Sequence, residues 1–407
     1  MSNEHKQNDI INLSTGAPGP ETMQGCQEIM IKATSEAMKD PKQETNTFKY
    51  GPEQGDPIFR QRLAGFLSKE YGDNVQSDSL IVTTGATNGL HLTVTTLFPN
   101  DVPIFVEDPT FFLAINILRD DIGKTLIPVP ATEDGLDLVH LEELFKEYRI
   151  KAGDKKTWKC QFWTMLYTMT VYSNPTGKNF SPDQCRKLVH LARKYDVLVF
   201  SDDVYNLFHF GEGAVPPRLL AYDKSDDSTG CVLSNGTFSK IFAGGLRLGW
   251  IEGPKPIIDS LVSWWADFYS YQSICAGSFN HFMSLMMSAA LQLDLLSPHL
   301  SRIKDIYKER MNLMCNALEK YLPACCSFNR PEGGFFVWVT LPKEMDAKNL
   351  QTFARDSHQI VFQDGESTSV SRNYRNCIRL SIGFCDTKQI EPGVQQLSRA
   401  IQTYMDP

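Results

Sequence analysis

Between about residue 80 and residue 255 the sequence switches repeatedly between two hydrophobic periodicities, and no other feature limits the fold as much. Short β-rich runs, Leu80–Thr84, Ile104–Glu107, Leu126–Val129, Gln161–Tyr172, Val197–Ser201 and Cys231–Ser234, read as strands. Amphipathic stretches lie between them, among them Leu136–Tyr148 and Pro182–Tyr195, the second with Ser181 as its N-cap. Strands that alternate with helices imply a doubly wound α/β sheet. In such a sheet, ligand groups gather on the loops beyond the strand ends, and that is where chemistry should be sought.

The texture changes after Leu300. Ser301–Leu322 is one long, charged helix pattern, followed by Gly333-Gly334, a strand at Phe335–Leu341, a helix near Ala347–Asp356, a strand at Cys377–Ile382 and a final helix. That is the pattern of a second, smaller α+β unit, and 407 residues is more than one core usually serves. The expected division is an N-terminal arm over 1–45, a large domain over 46–295 and a small domain over 296–407.

Composition narrows the partners. With 42% apolar and 22% charged residues the chain can build a real core, and its formal charge of −8 argues against nucleic acid or an anionic membrane surface as the main partner. No run of 18 uncharged apolar residues occurs; the most apolar region, Ser263–Leu296, is broken by Asp267, Gln272, Asn280 and His281 and reads as buried helices. The first ten residues are polar, without the apolar core of a secretory signal. Ten cysteines without C-x-x-C and eight histidines without H-x-x-x-H lead to the expectation of a cytoplasmic protein with no metal.

The sharpest segment is Asn235–Ile251, N-G-T-F-S-K-I-F-A-G-G-L-R-L-G-W-I. Lys240 sits in a hydroxyl- and glycine-rich loop just after a strand. A lysine that attacks an aldehyde must be neutral, and desolvation and nearby cations both favour that form. Thr237, Ser239 and Arg247 together can bind a phosphate dianion. Alone, S-x-K is short and equally describes a surface lysine. Two further clusters add weight. Ser173–Gly177 closes one strand with N-P-T-G, otherwise a plain tight turn, and the next strand ends Asp202-Asp203-Val204-Tyr205, otherwise solvated loop acids. Thr83–Gly89 joins a strand to a helix with glycines that let backbone N–H groups approach an anion, otherwise an ordinary turn.

In this order, and over nearly the whole chain, these segments resemble the class I aminotransferases of the pyridoxal-phosphate fold-type-I family, nearest the aromatic, kynurenine and 2-aminoadipate branch. The resemblance implies a large domain with a mostly parallel seven-stranded sheet, a smaller C-terminal domain, and pyridoxal 5'-phosphate as cofactor. It implies that Lys240 carries the cofactor as a Schiff base and that Arg247, Thr237, Ser239, Gly85, Ala86 and Thr87 hold its phosphate. Asn174 and Tyr205 would bond the phenolic oxygen, Asp202 the ring nitrogen, and Phe111, from the motif Glu107–Phe111, would stack on the ring. Arg379, before Leu380-Ser381, would clamp the substrate carboxylate, with Gly16 of the arm Ile11–Pro18 and Asn174 against the substrate. Tyr50 would reach the phosphate of a neighbouring subunit, so a homodimer with shared sites is implied.

Departures are visible too: Ala86 replaces a hydroxyl residue, Ala243 a proline, the strand reads Tyr167-Thr168-Met169-Thr170 without the family's proline, and Val361–Gly365 also lacks one. The expected reaction passes an amino group from an L-amino acid to a 2-oxo acid such as 2-oxoglutarate by a ping-pong route. Phe111, Phe112, Tyr269 and Tyr271 suggest an aromatic, aminoadipate-like or long aliphatic donor, although core packing explains each equally well. A C–S lyase or aminocyclopropanecarboxylate-synthase-like lyase would keep the same cofactor residues. A pseudo-enzyme would have lost one of them. A regulator would need a helix-turn-helix domain ahead of the arm, where about ten residues stand. A nucleotide-binding oxidoreductase would need a G-x-G-x-x-G after a strand.

Overall fold

The computed structural model describes residues 10–39, 44–152, 161–223, 230–267 and 279–405. Thirteen strands are described. The large sheet is built from β2 (Leu80–Thr83), β3 (Ile104–Asp108), β4 (Leu126–Pro130), β5 (Thr164–Thr168), β6 (Val197–Asp202), β7 (Val232–Thr237) and β8 (Gly249–Glu252). Its order is β2-β8-β7-β6-β5-β3-β4, and every pair is parallel except the two made by β8. This is the mostly parallel seven-stranded sheet of the expected α/β fold.

The six expected strands are present with shifted ends. Gln161–Tyr172 shrinks to Thr164–Thr168, because beyond Thr168 the chain leaves the ladder and the Met169 N–H goes to a side chain, Glu107, instead of a backbone carbonyl. In the sequence, strand β8 is visible only as part of the lysine segment. All four of its residues are buried, so it shows no alternation, and a short continuous apolar run carries little periodic signal. Its neighbour β2 displays the period of two: Leu80 and Val82 join the core shared with the C-terminal elements, and Ile81 joins the other core.

The helices follow the same logic. Pro182–Lys194 is capped by Ser181, whose side chain accepts the Gln184 N–H. Leu138–Ala152 runs somewhat later than expected. The long helix begins at Leu296 rather than Ser301; Pro298 lies in its first turn, where its missing N–H costs nothing, and Leu296, His299 and Leu300 are buried there. Lys255–Asp267 and His281–Gln292 occupy the apolar region, and 268–278 lie outside the described residues.

A four-stranded antiparallel sheet, β12 (Gln363–Asp364), β13 (Cys377–Ser381), β10 (Phe336–Thr340) and β9 (Ser327–Phe328), forms the smaller C-terminal part. The arm is stitched to it. β1 (Ile11–Asn12) pairs in parallel with β11 (Ile360–Val361), and the Ser381 N–H donates to Leu13 O at 2.7 Å. Among the described residues no helix is long and apolar enough to cross a membrane, and no group of three metal-ligating side chains occurs.

Candidate active site

The ends of β3, β5, β6 and β7 open on a cavity of about 390 Å³. Lys240 enters it from a wide helical turn, Ser239–Ala243, that follows β7. Its Nζ donates to Gly16 O at 2.7 Å and lies 5.9 Å from the centre of the Tyr205 ring. Burial of the ammonium brings the amine down to about 8; Asp202 opposes this, while Arg379 and Arg247 add to it. The desolvation and cations expected of a reactive lysine are both present.

Asp202 closes β6. Its two oxygens accept from Tyr167 Oη at 2.7 Å and from Asn235 Nδ2 at 2.8 Å. Burial raises its carboxyl, and these donors and Lys240 pull the other way. Asn235 stands directly opposite Asp202 in the β6–β7 register. Its neighbour Asp203 points to the other face, accepting from Ser201 Oγ and Ser234 Oγ, so the pair are buried acids with separate tasks rather than solvated loop residues. Tyr205 is buried beside Lys240, with its ring edge-on to Phe336.

The opposite end of the cavity is an anion cradle. Gly85, at φ 105°, turns the chain into the helix Ala86–Leu97, whose first N–H groups have no partner within the helix. A Cβ on Gly85 would stand 3.5 Å from Arg247 Nη2 and 3.8 Å from Thr237 Oγ1, which places these donors together. Thr237 Oγ1 and Ser239 Oγ are 2.9 Å apart. Ala86, Thr87, Thr237, Ser239 and Arg247 all line the cavity, and Ala86 contributes through its backbone, its carbonyl accepting from Asn235. Phe111, at the start of the helix Phe112–Asn116, forms a side wall.

Arg379 is 3% exposed on β13. Its Nη1 donates to Asn174 Oδ1 at 2.8 Å, its Nη2 to Ser14 O, and its guanidinium lies 4.4 Å over the Phe336 ring. Burial lowers it to about 10. Among the described residues no carboxylate lies within ion-pair distance, and its Nε has no partner. Gly16 belongs here because a Cβ would meet the Phe336 ring at 2.7 Å.

The expected residues Lys240, Asp202, Tyr205, Asn174, Phe111, Ala86, Thr87, Thr237, Ser239 and Arg247 thus line one cavity, with Gly16 and Gly85 on its bonds and approaches and Arg379 reached through Asn174. Tyr50 is not in its wall and is 77% exposed. Phe112 packs edge-on against Phe111 outside the wall; Tyr269 and Tyr271 lie outside the described residues. Two residues were not foreseen as parts of the site, Tyr167 and Asn235. Both lie on strands flanking the Asp202 strand, and only the sheet order reveals them.

A lysine amine, a buried acid and a group of anion-binding donors at the strand ends of a doubly wound sheet, with an arginine from the C-terminal sheet linked to them through Asn174, form one candidate active site. Residues 8–397 match the family described as aminotransferase class I and II. The chain is 28% identical to aromatic-amino-acid aminotransferase 1 of Thermococcus litoralis over 98% of its own length and 89% of that protein. It is 27% identical to the 2-aminoadipate transaminase of Thermus thermophilus over 97% and 90%. The solved kynurenine aminotransferase of Pyrococcus horikoshii, in complex with PMP, superposes with a TM-score of 0.82 at 28% identity, covering 98% of this chain and 92% of that one. The chain belongs to the class I and II aminotransferase family. It is an amino-acid aminotransferase, and its relatives favour amino-group transfer over the lyase chemistry of the same fold.

Proposed function

We propose that this aminotransferase binds pyridoxal 5'-phosphate in the cavity at the strand ends and uses it to move an amino group from an apolar L-amino acid to a 2-oxo acid such as 2-oxoglutarate. The observation that carries the reading is Lys240, a buried amine lowered to about 8 in one cavity with Asp202 and the anion cradle. The residues fit the cofactor. Lys240 would supply the amine for its aldehyde; Gly85, Ala86, Thr87, Thr237, Ser239 and Arg247 would hold its phosphate. Asp202, fixed by Tyr167 and Asn235, would serve its ring nitrogen. Asn174 and Tyr205 would serve its phenolic oxygen, and Phe111 its ring.

When bound, the cofactor supplies an electron sink for the negative charge left at the substrate Cα. Lys240 Nζ would accept and hold the proton removed from the substrate Cα. Arg379 offers a planar fork to the substrate carboxylate, which sets orientation as well as charge. Its unpartnered Nε, and the absence among the described residues of a carboxylate within ion-pair distance, support that role.

The donor's side chain meets Met23, Leu113, Ile117, Ala17 and Pro18. This apolar wall suits an aromatic or long aliphatic donor. We also assign the chain to a homodimer, with Tyr50 reaching the partner's phosphate site. Its exposure, with Phe48, Ile31 and Ile58 also exposed nearby in sequence or on the arm side, supports this. The division into an arm (1–45), a large domain (46–295) and a small domain (296–407) belongs to the same proposal. So does a cytoplasmic location, which the eight free cysteines among the described residues support.

The test is direct. Borohydride treatment of the yellow holoenzyme should fix the cofactor to Lys240, and Lys240→Ala should abolish both the adduct and transfer. A trapped adduct on another lysine would defeat the assignment. A panel of single amino acids, each without a 2-oxo acid, should give one turnover per site; continued turnover would indicate a lyase.

A further inference from the structure

Strand β3 ends in two acids, and the function proposed above employs neither. Glu107 is 2% exposed and sits where the sheet order reverses, with β4 on one side of β3 and β5 on the other. Connections leave such a point in opposite directions and open a crevice at the strand ends. The β3–β5 ladder stops at the Val106–Tyr167 pair. Beyond it the Glu107 side chain takes over. Its Oε2 accepts from Met169 N–H at 3.0 Å and Thr168 Oγ1 at 2.9 Å, and its Oε1 accepts from Ser173 Oγ at 3.4 Å.

One carboxylate therefore holds both ends of the stretch from Thr168 to Ser173 against the sheet. The stretch also bonds to its own return segment, through Phe180 N–H to Thr170 O, Ser173 N–H to Lys178 O and Gly177 N–H to Ser173 O. Those bonds shape the turn and leave its attachment to β3 to Glu107. Asn174 follows at once, and its Oδ1 accepts from Arg379 Nη1.

We propose that Glu107 is a positioning residue that sets Asn174, and through it Arg379, where substrate carboxylate and cofactor meet. The proposal rests on the reading of the cavity given above. In its ionised form the carboxylate suits the task because it is acceptor-only, so it takes three donors and leaves no donor of its own to satisfy. Burial pushes its carboxyl up to about 7 against the pull of Met169, Thr168 and Ser173. Glutamine keeps a carbonyl for Met169 and Thr168, and the Ser173 hydroxyl can turn to accept from its amide. The conservative variant is therefore a rescue; alanine removes the bracket.

The experiment compares holoenzymes of wild type, Glu107→Gln and Glu107→Ala. It reads kcat, the KM of the amino donor and of the 2-oxo acid, and the pH midpoint of the cofactor's visible band. Glu107→Ala should raise both KM values by roughly ten-fold or more, the scale of a lost charged hydrogen bond, and should move the band midpoint. Glu107→Gln should restore both. A folded, coloured Glu107→Ala enzyme with unchanged KM values and midpoint overturns the proposal, as does a glutamine variant no better than alanine. If the alanine variant does not fold, Thr168→Val and Ser173→Ala each remove one donor. Smaller shifts in the same direction support the role, and none in either variant overturns it. A wild type that stays colourless with the cofactor defeats the underlying reading; a coloured, active wild type with indifferent variants defeats only this one.

Discussion

Lys240 has its nucleophilic form favoured by where it is placed. The ordinary amine near 10.5 falls to about 8, so capture of the cofactor by cofactor-free protein should speed up with pH and level off above about 8. A rate that is flat from pH 6 to 9 by stopped-flow absorbance would contradict this. The same depression has a stability consequence: between about 8 and 10.5 the unfolded chain binds a proton the folded chain does not, so the cofactor-free protein gains stability as pH rises through that window. Arg379 is the other residue whose role rests on geometry. Arg379→Lys keeps the charge and loses the fork, and should reduce kcat/KM for donor and acceptor alike by about 2 kcal/mol, some thirty-fold. Steady-state rates with both substrates check it, and an effect on only one would assign the arginine elsewhere. Lys240 and Arg379 were both legible in the sequence because each stands in a short segment with distinctive neighbours.

At the scale of elements, the site depends on how closely the helix Ala86–Leu97 lies on β7. Gly89 is the contact point: an added Cβ would fall 2.3 Å from Asn235 Oδ1 and 3.2 Å from its Cγ. Gly89→Ala must displace Asn235, one of the two donors on Asp202. The expected outcome is a loss of about 1–3 kcal/mol in stability from overpacking together with weaker cofactor retention, read by thermal unfolding and by dialysis against a cofactor-free buffer. Unchanged retention would mean that Tyr167 alone holds Asp202. This dependence was not legible beforehand. Thr83–Gly89 shows two glycines at a strand–helix junction, but nothing local says that the second of them faces an asparagine 146 positions later. Strand β8 is hidden in the sequence for a similar reason, since a strand buried on both faces has no alternation.

The whole molecule adds the question of the second subunit. In one chain Tyr50 stands exposed and away from the cavity, and Arg247 is exposed as well. If Tyr50 serves the neighbouring site, Lys240→Ala and Tyr50→Ala enzymes, each inactive or impaired alone, should recover activity when unfolded together and refolded. The mixed dimer then holds one site with Lys240 from one chain and Tyr50 from the other. No recovery, with mixed dimers demonstrated by mass spectrometry, would mean that Tyr50 acts within its own chain or not at all.

What the sequence determined by itself is the part written in local periodicity and local chemistry. Alternating strand and helix patterns dictated a doubly wound sheet, and the segments around Lys240, Asn174, Asp202 and Arg379 carried their chemistry in adjacent letters. What only the tertiary structure decided is every relation across strands. Sheet order puts Tyr167 and Asn235 on Asp202, places Glu107 at the reversal of the order, and brings the arm's Gly16 carbonyl to Lys240 over 224 positions. The physical reason is that side-chain direction along one element follows from its period, whereas which elements become neighbours is settled by burial of whole faces, a property no single segment possesses.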